Sequence, residues 1–340
     1  MAKNLIFADM LCTNPKISVI GYGSWATALV GLITSNGNKV NWHIRNSDIL
    51  ESVNNEGINP KYLSELELDK NLIYATPDIN EAVTGSDIIL LAAPSAFLKN
   101  FMEGLSVPIN DKYIVSAIKG IVPEENLTVT EYIHNTYSVP FSRIALISGP
   151  THAEEVSRGK LTYINVVCTD KDDANVIENV ISSKHLVINY SSDIYGIEYT
   201  GILKNIYAIV AGIATGLGYG DNTLAVLVCH CAEEMQAFIN STMPESRCAT
   251  SYSYLGDLLV TSYSTYSRNR RLGQLIGKGC TVKSALNEMT MVAEGYFAVK
   301  GLRVINEKHQ IPMPIADAIY RILYEGANPR KTIAQLLFSF

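Results

Sequence analysis

The sequence has 340 residues, a length typical of about two domains. Its 47% hydrophobic and 18% charged composition is that of a folded globular protein and excludes the disordered and fibrous classes. The formal net charge of −6 argues against nonspecific nucleic-acid binding, which needs a basic surface. Any anionic ligand must therefore meet a local cluster of positive residues.

The chain has no pattern typical of secretion or membrane insertion. The apolar stretch within residues 1–10 is too short for a signal peptide, and the longest apolar run, Ile206 to Leu217, falls short of the roughly 20 residues of a membrane span. Six cysteines form neither a disulfide framework nor a pattern of metal ligands. We therefore expect a cytoplasmic protein with no integral membrane segment and no metal site.

Short apolar runs alternate with helical spacing in the first half of the chain. Residues 1–15 show no clear pattern, and a helix is predicted over 26–35, ending at Asn36-Gly37. The runs predicted to be strands are 17–20, 39–44, 72–75, 87–92, 113–117 and 144–147. Strands of this length with helices between them predict βαβ units and a buried parallel sheet.

The pattern changes near residue 192, where long helical stretches begin. These cover 194–213, 224–239 and the chain from 282 onward. The change predicts two domains: a dinucleotide-binding domain over 16–192 and a helical substrate or catalytic domain over 193–340. A cleft is expected between them.

A glycine-containing turn follows the first predicted strand. Gly21-Tyr22-Gly23-Ser24-Trp25-Ala26 fits the dinucleotide-binding fingerprint, which accepts alanine at its third small position. The first glycine permits a tight turn, and the second lets the backbone approach a pyrophosphate at the N-terminus of a helix. A purely structural tight turn is the alternative interpretation.

The second predicted strand ends in Arg45 instead of the acidic residue usual in NAD-specific sites. Arg45 could stack on adenine or pair with a 2′-phosphate, so NADP is compatible with this site. A solvated arginine at the end of a strand is the alternative.

Lys204 is the only charge in an apolar helical stretch, 201–212. Small residues, including Gly201 and Gly212, share its face and would leave room for a ligand. Burial of an unpaired ammonium should lower its pKa, which suits a lysine that donates and accepts protons. A paired structural lysine is the alternative.

Ser267-Arg268-Asn269-Arg270-Arg271 is a dense cationic cluster in an acidic protein. Arginine binds phosphate oxygens in a bidentate manner, and Ser and Asn can donate further hydrogen bonds. The cluster predicts a phosphate site, whereas a solvated charged surface is the alternative.

Several motifs together resemble the NAD(P)-dependent glycerol-3-phosphate dehydrogenases of bacterial type, in family order from about residue 16 to 325. The matching stretches are 19–25, 117–120, 148–156, 203–205, 218–222, 256–258, 267–271 and 292–295. The sequence departs from the family at Ala26, where glycine is usual, and at Thr151, where serine is usual. Neither change removes a group that the chemistry needs.

The resemblance implies an α/β N-terminal Rossmann-like domain with a parallel-rich sheet. It also implies a mainly α-helical C-terminal domain like that of 6-phosphogluconate dehydrogenase. The implied activity is the reversible NAD(P)H-dependent reduction of dihydroxyacetone phosphate, a small phosphorylated substrate, to sn-glycerol 3-phosphate for glycerophospholipid synthesis. NADP or NAD is the implied cofactor. The oligomeric state stays open, and a homodimer is one possibility.

The resemblance also implies site residues. Lys204 would be the proton donor or acceptor at the substrate's C2 oxygen, and Lys119 and Asp257 would complete the catalytic set. The residues expected at the substrate are Lys119, Gly149, Thr151, Lys204, Asp257, Ser267, Arg268 and Asn269. Those expected at the cofactor are Gly21, Gly23, Ser24, Trp25, Arg45, Lys119, Ala153, Arg268, Val292 and Glu294. His152 and His230 are assigned to packing or hydrogen bonding, because the lysine fills the acid–base role.

Two rival functions stay open at the level of sequence. One is another two-domain dehydrogenase, such as a 3-hydroxy acid or ketopantoate reductase, which would not need a phosphate clamp. The other is a nucleotide-sensing protein without turnover, against which the presence of Lys119, Lys204 and Asp257 counts.

Overall fold

The structure, a computed structural model, describes residues 11–340. Of the unpatterned segment 1–15, residues 1–10 with their short apolar stretch lie outside the described residues. The strands are β1 (Ile17–Ile20), β2 (Val40–His43), β3 (Ile73–Thr76), β4 (Ile88–Leu91), β5 (Tyr113–Ser116), β6 (Ile121–Val122), β7 (Leu127–Thr128), β8 (Ile144–Ser148), β9 (Thr162–Val167) and β10 (Leu186–Ser191). Each predicted strand is present, within one or two residues of its expected bounds.

Eight strands form one sheet in the order β10-β9-β8-β5-β4-β1-β2-β3. In its centre, β1 pairs in parallel with both β2 and β4, so that Ile17 lies opposite Val40 and Ile88. The predicted parallel-rich sheet is confirmed. It is not parallel throughout, because β9 runs antiparallel to β8 and β10 follows the direction of β9.

Fifteen α-helices surround the sheet and form the second half of the described chain. They are α1 (Ser24–Ser35), α2 (Ser47–Glu56), α3 (Ile79–Val83), α4 (Leu98–Phe101), α5 (Val129–Tyr137), α6 (Ala153–Ser157), α7 (Lys171–Ile181), α8 (Ile194–Gly216), α9 (Asp221–Thr242), α10 (Asp257–Tyr263), α11 (Arg268–Gly277), α12 (Val282–Glu288), α13 (Glu294–Asn306), α14 (Pro314–Tyr324) and α15 (Pro329–Leu337). None of the helices within residues 11–340 is long and apolar enough to cross a membrane.

The predicted fold class, a sheet domain followed by a mainly helical domain, is confirmed. The buried residues form three clusters: two lie around the sheet, and the third lies mainly among the helices from α8 onward but also includes Ile121, Leu146 and Val167. The boundary predicted between residues 192 and 193 falls between the end of β10 and the start of α8. The bounds 16–192 and 193–340 stay a prediction of how the chain divides.

Helix α8 is the buried centre of the helical half, and α11 packs directly against it. A Cβ added to Gly273 of α11 would overlap the backbone carbonyl of Ile209, and one added to Gly212 would overlap that of Arg270. The small face of α8 was expected to leave room for a ligand. At Gly212 that expectation is wrong, because α11 fills the space. At Gly201 the aliphatic stem of Lys119 lies 3.3 Å from the position of an added Cβ.

The close contact between α8 and α11 predicts that Gly273→Ala destabilises the helical half. The extra methyl group must force the two backbones apart, and overpacking of this kind costs about 1–3 kcal/mol. The measurement is the midpoint of denaturant unfolding followed by circular dichroism. Gly220→Ala is the matched control, because its Cβ would meet nothing within 4 Å. Equal midpoints for the two variants would contradict the packing described here.

Candidate functional site

A cavity of about 620 Å³ opens between the sheet domain and the helical domain. Its volume is in the range of small-molecule sites. The segments in its wall are 22–25, 92–94, 117–119, 151–154, 204–205, 266–269 and 289–294. The wall therefore combines the glycine turn, the loops that follow β4, β5 and β8, and the start of α11.

A buried group of three charges lies at this cavity. Lys119, after β5, donates a hydrogen bond of 2.9 Å to Asp257 at the start of α10, and Lys204 of α8 donates to the other carboxylate oxygen. The Asp257 side chain is 0% exposed, that of Lys204 6% and that of Lys119 16%. Lys119 and Lys204 line the cavity, whereas Asp257 lies behind them and does not reach its wall.

The contact shifts the pKa values of Lys204 and Asp257. Burial is the main cause that lowers the pKa of Lys204; Asp257 acts against it and the neighbouring Lys119 ammonium adds to it, so that the pKa is about 7. Burial alone would raise the pKa of Asp257, but the ammonium groups of Lys119 and Lys204 outweigh it and hold that pKa below its ordinary value. Lys204 was expected to be unpaired. It is paired, yet its pKa is lowered as predicted.

Two asparagines fix the segments that carry these charges. Asn205, next to Lys204, donates 2.7 Å to the backbone carbonyl of Lys119 and accepts 3.0 Å from the amide of Asn269. The Asn269 side chain in turn accepts from the backbone N–H of Gly295 at 2.9 Å. The side-chain amides of Asn205 and Asn269 thus link α8, α11 and α13 to one another and to the sheet domain. Asn205 lies in one of the stretches that match the family, 203–205, but the sequence did not predict it to be a site residue.

The glycine turn is shaped to receive a dinucleotide. Gly21 has φ +114°, and a Cβ there would approach the Ala92 carbonyl oxygen to 2.6 Å, so only glycine fits. A Cβ at Gly23, in contrast, would meet nothing within 4 Å. Gly23 precedes α1 and provides no side-chain cap, so the first N–H groups of the helix keep no side-chain partner.

Two residues that sequence reasoning missed hold this turn. The indole of buried Trp42 donates 2.7 Å to the carbonyl of Gly21, and the amide of Asn59 donates 2.9 Å to the carbonyl of Tyr22. Both carbonyl oxygens therefore accept hydrogen bonds within the protein, which reduces their repulsion of an anion bound at the turn. The residues present fit a pyrophosphate at the N-terminus of α1.

The other residues expected at the cofactor divide into two groups. Those that line the cavity together with Gly23 are Ser24, Trp25, Ala153, Val292 and Glu294. Arg45 lies outside the cavity wall, where its guanidinium stacks 4.3 Å from the ring centre of Phe101 and bonds Asn100. Phe101 itself lines the cavity.

Glu294 forms a contact between the two domains. Its carboxylate accepts a 2.9 Å hydrogen bond from the backbone N–H of Ser95 and a second from the Ser95 hydroxyl. Burial raises the pKa of Glu294, although the bonds from Ser95 act in the opposite direction. Ser95 gave no signal in the sequence.

The predicted phosphate cluster is only partly assembled. Ser267, Arg268 and Asn269 line the cavity. Arg270 and Arg271 do not, and Arg271 pairs instead with Glu288 at 3.4 Å. Around the axis of α11, Arg270 lies about 200° from Arg268, whereas Arg271 lies about one turn further along the helix.

Arg268 keeps hydrogen-bonding capacity for an anion. Its guanidinium lies 3.7 Å from the Glu154 carboxylate, and its buried Nε has no hydrogen-bond partner among residues 11–340. Arg268 also begins α11, where the helix dipole favours negative charge.

The loop after β8 contributes to the same wall. The Gly149 carbonyl accepts hydrogen bonds of 2.7 Å from Lys119 and 3.1 Å from the Thr151 hydroxyl. Thr151 lines the cavity, whereas Gly149 lies behind it and orients Lys119. The structure thus brings most of the predicted substrate residues to one cavity.

Comparison with known proteins matches nearly the whole chain to one family. The family models of the NAD-dependent glycerol-3-phosphate dehydrogenase N-terminus and C-terminus match residues 16–174 and 193–334. A relative from Halothermothrix orenii named glycerol-3-phosphate dehydrogenase [NAD(P)+] is 36% identical, over 95% of each chain. One of the same name from Clostridium perfringens is 34% identical, over 95% of this chain and 97% of its own.

A solved structure agrees with the sequence comparison. Glycerol-3-phosphate dehydrogenase from Coxiella burnetii superposes with a TM-score of 0.88 at 27% identity, covering 96% of this chain and 99% of that one. With the glycine turn, the buried lysines and both family models in agreement, the chain belongs to the NAD(P)-dependent glycerol-3-phosphate dehydrogenase family.

Proposed function

We propose that this chain catalyses the reversible reduction of dihydroxyacetone phosphate to sn-glycerol 3-phosphate, with NADH or NADPH as the reductant. The observation that carries the proposal is the position of Lys204. Lys204 lines a cavity shared with the glycine turn and Arg268, and its ammonium is held by a fully buried carboxylate. This arrangement suits a ketone with an anionic tail beside a dinucleotide.

The residues around the glycine turn would hold the cofactor. Gly21 lets the turn pack against Ala92, Gly23 leaves space for the pyrophosphate, and the cavity around the remaining parts is lined by Ser24, Trp25, Ala153, Val292 and Glu294. When bound, the reduced nicotinamide supplies the hydride for the ketone carbon. Arg45 and Phe101, stacked at the rim, would contact the adenosine end.

Lys204 would control the proton and the developing charge. During reduction, negative charge grows on the substrate's C2 oxygen, and the Lys204 ammonium stabilises this charge and donates a proton to the oxygen. In the reverse direction, neutral Lys204 accepts that proton. Asp257 holds Lys204 in place, and Lys119 adds a second positive charge to the cavity wall.

The start of α11 would bind the phosphate. Arg268 offers a guanidinium whose Nε has no partner among the described residues, and Ser267 and Asn269 lie beside it in the wall. One N–H of the Asn269 amide is used by Asn205, which leaves the second for the substrate. Fixing the phosphate holds C2 in place for the reaction.

We further propose that the enzyme works in the cytoplasm and supplies sn-glycerol 3-phosphate for glycerophospholipid synthesis. The free state of its six cysteines supports a reducing compartment. A homodimer is the assembly that we propose to test first, by light scattering of the purified protein.

Lys204→Met is expected to lower kcat by about 100- to 10,000-fold, because it removes the general acid and keeps most of the side-chain stem. Fluorescence titration with NADH should show nearly unchanged cofactor binding. Lys278→Met, at an exposed lysine, is the control and should keep full activity. A kcat close to wild type in Lys204→Met would remove Lys204 from the mechanism.

Arg268→Ala is expected to lower kcat/KM for dihydroxyacetone phosphate by about 10- to 150-fold, the effect of losing a charge-assisted hydrogen bond. The matched control is Arg271→Ala, since Arg271 lies three residues further on and pairs with Glu288. This variant should change kcat/KM for dihydroxyacetone phosphate by less than about twofold.

The same assay with unphosphorylated dihydroxyacetone tests the substrate class. Wild type should reduce it far more slowly, and the Arg268→Ala variant should lose most of that preference. If wild type reduced dihydroxyacetone as fast as dihydroxyacetone phosphate, the result would indicate a different two-domain reductase.

A further inference from the structure

His152 lines the cavity between Thr151 and Ala153, directly before α6. Its imidazole packs against Tyr266 of the helical domain, with 5.7 Å between ring centres. The Nε2 atom is buried and has no hydrogen-bond partner within residues 11–340. The sequence predicts packing or hydrogen bonding for this residue; the ring packs against Tyr266, but its Nε2 makes no hydrogen bond among the described residues.

Apart from the Nε of Arg268, which is assigned to the phosphate, the following polar side chains at the same cavity are bonded within the protein. Lys119 and Lys204 both donate to Asp257. The Thr151 hydroxyl donates to the Gly149 carbonyl at 3.1 Å, and Thr261 donates to the backbone of Asp257 at 2.6 Å. His152 therefore differs from these neighbours: it lines the cavity and has a buried ring nitrogen without a hydrogen-bond partner among the described residues.

The surroundings of His152 disfavour a charged imidazole. Burial, followed by the charge of Lys204, lowers the pKa of His152 to about 4, which favours the neutral ring near pH 7. A neutral imidazole offers one donor and one acceptor. It can therefore bind an alcohol without adding another positive charge to a cavity that already contains Lys119, Lys204 and Arg268.

The substrate assigned above carries three polar groups on three carbons. Arg268 is assigned to the phosphate and Lys204 to the C2 oxygen, whereas the hydroxyl on the remaining carbon has no partner so far. A buried alcohol needs a hydrogen bond, since leaving it unpaired costs binding free energy.

We propose that His152 is a specificity-determining residue that binds the free hydroxyl at the unphosphorylated end of the substrate. This inference rests on the proposed function and extends it. It explains how the enzyme would select a hydroxymethyl ketone over a methyl ketone with the same phosphate, because only the former can satisfy the imidazole.

The test compares two competitive inhibitors of dihydroxyacetone phosphate reduction. One is sn-glycerol 3-phosphate, and the other is propane-1,2-diol 1-phosphate of matching configuration, which lacks only the terminal hydroxyl. Inhibition constants are used because they do not require the deoxy compound to react. Wild type is expected to bind sn-glycerol 3-phosphate about tenfold more tightly than the deoxy compound, the effect of one buried hydrogen bond.

His152→Phe is expected to bring this ratio close to one, mainly by weakening sn-glycerol 3-phosphate. His152→Gln, which keeps a donor and an acceptor, should retain part of the preference. His230→Gln is the control at a histidine outside the cavity, paired with Glu233, and should leave the ratio unchanged.

Two results would overturn the assignment of His152. In one, His152→Phe weakens both inhibitors equally, which indicates a general structural effect; in the other, the ratio stays at its wild-type value. Failure of the proposed function would look different, because wild-type enzyme would then not reduce dihydroxyacetone phosphate at all, and the role of His152 would fall with it.

Discussion

The buried contact of Lys119 and Lys204 with Asp257 is the interaction on which the site depends. Removing ions from water is costly, and a buried charge is tolerated only when it is paired and hydrogen-bonded. Here one carboxylate serves two ammonium groups, each on its own oxygen. With both lysines protonated, the group has a net positive charge at a cavity wall, where an oxyanion can approach it.

The same contact joins the two halves of the molecule. Lys119 belongs to the sheet domain, whereas Lys204 and Asp257 belong to the helical domain. Asn205 reinforces the junction through the Lys119 carbonyl, and Glu294 makes a second link through Ser95. A dinucleotide held at the glycine turn therefore has the acid–base residue of the other domain at a fixed position.

Much of this could be predicted from the sequence, because the signals are local. Continuous apolar runs gave the central strands, the spacing of Gly21 and Gly23 gave the turn, and a lone charge in an apolar helix indicated Lys204. Strands β9 and β10 were missed because polar residues such as Asn165 and Asn189 interrupt them. As an edge strand, β10 also lacks a continuously buried pattern.

What the sequence could not predict depends on contacts between distant segments. The pairing of Asp257 with both lysines needs the packing of α10 against α8, and no local pattern specifies it. The separation of Arg271 from Arg268 follows from the direction in which α11 lies. The hydrogen bonds of Trp42 and Asn59 to the glycine turn join residues 21 and 37 positions apart.

The most direct test of the account is the pH dependence of kcat/KM in both directions, in wild type and in Asp257→Asn. With the pKa of Lys204 near 7, reduction needs the ammonium and should fall as pH rises above about 7, whereas oxidation needs the amine and should rise over the same range. Because Asp257 raises the pKa of Lys204, both wild-type profiles should shift to lower pH in the variant. Profiles that stay flat up to pH values near the ordinary lysine pKa of about 10.4, or that do not respond to Asp257→Asn, would contradict the central role of this contact.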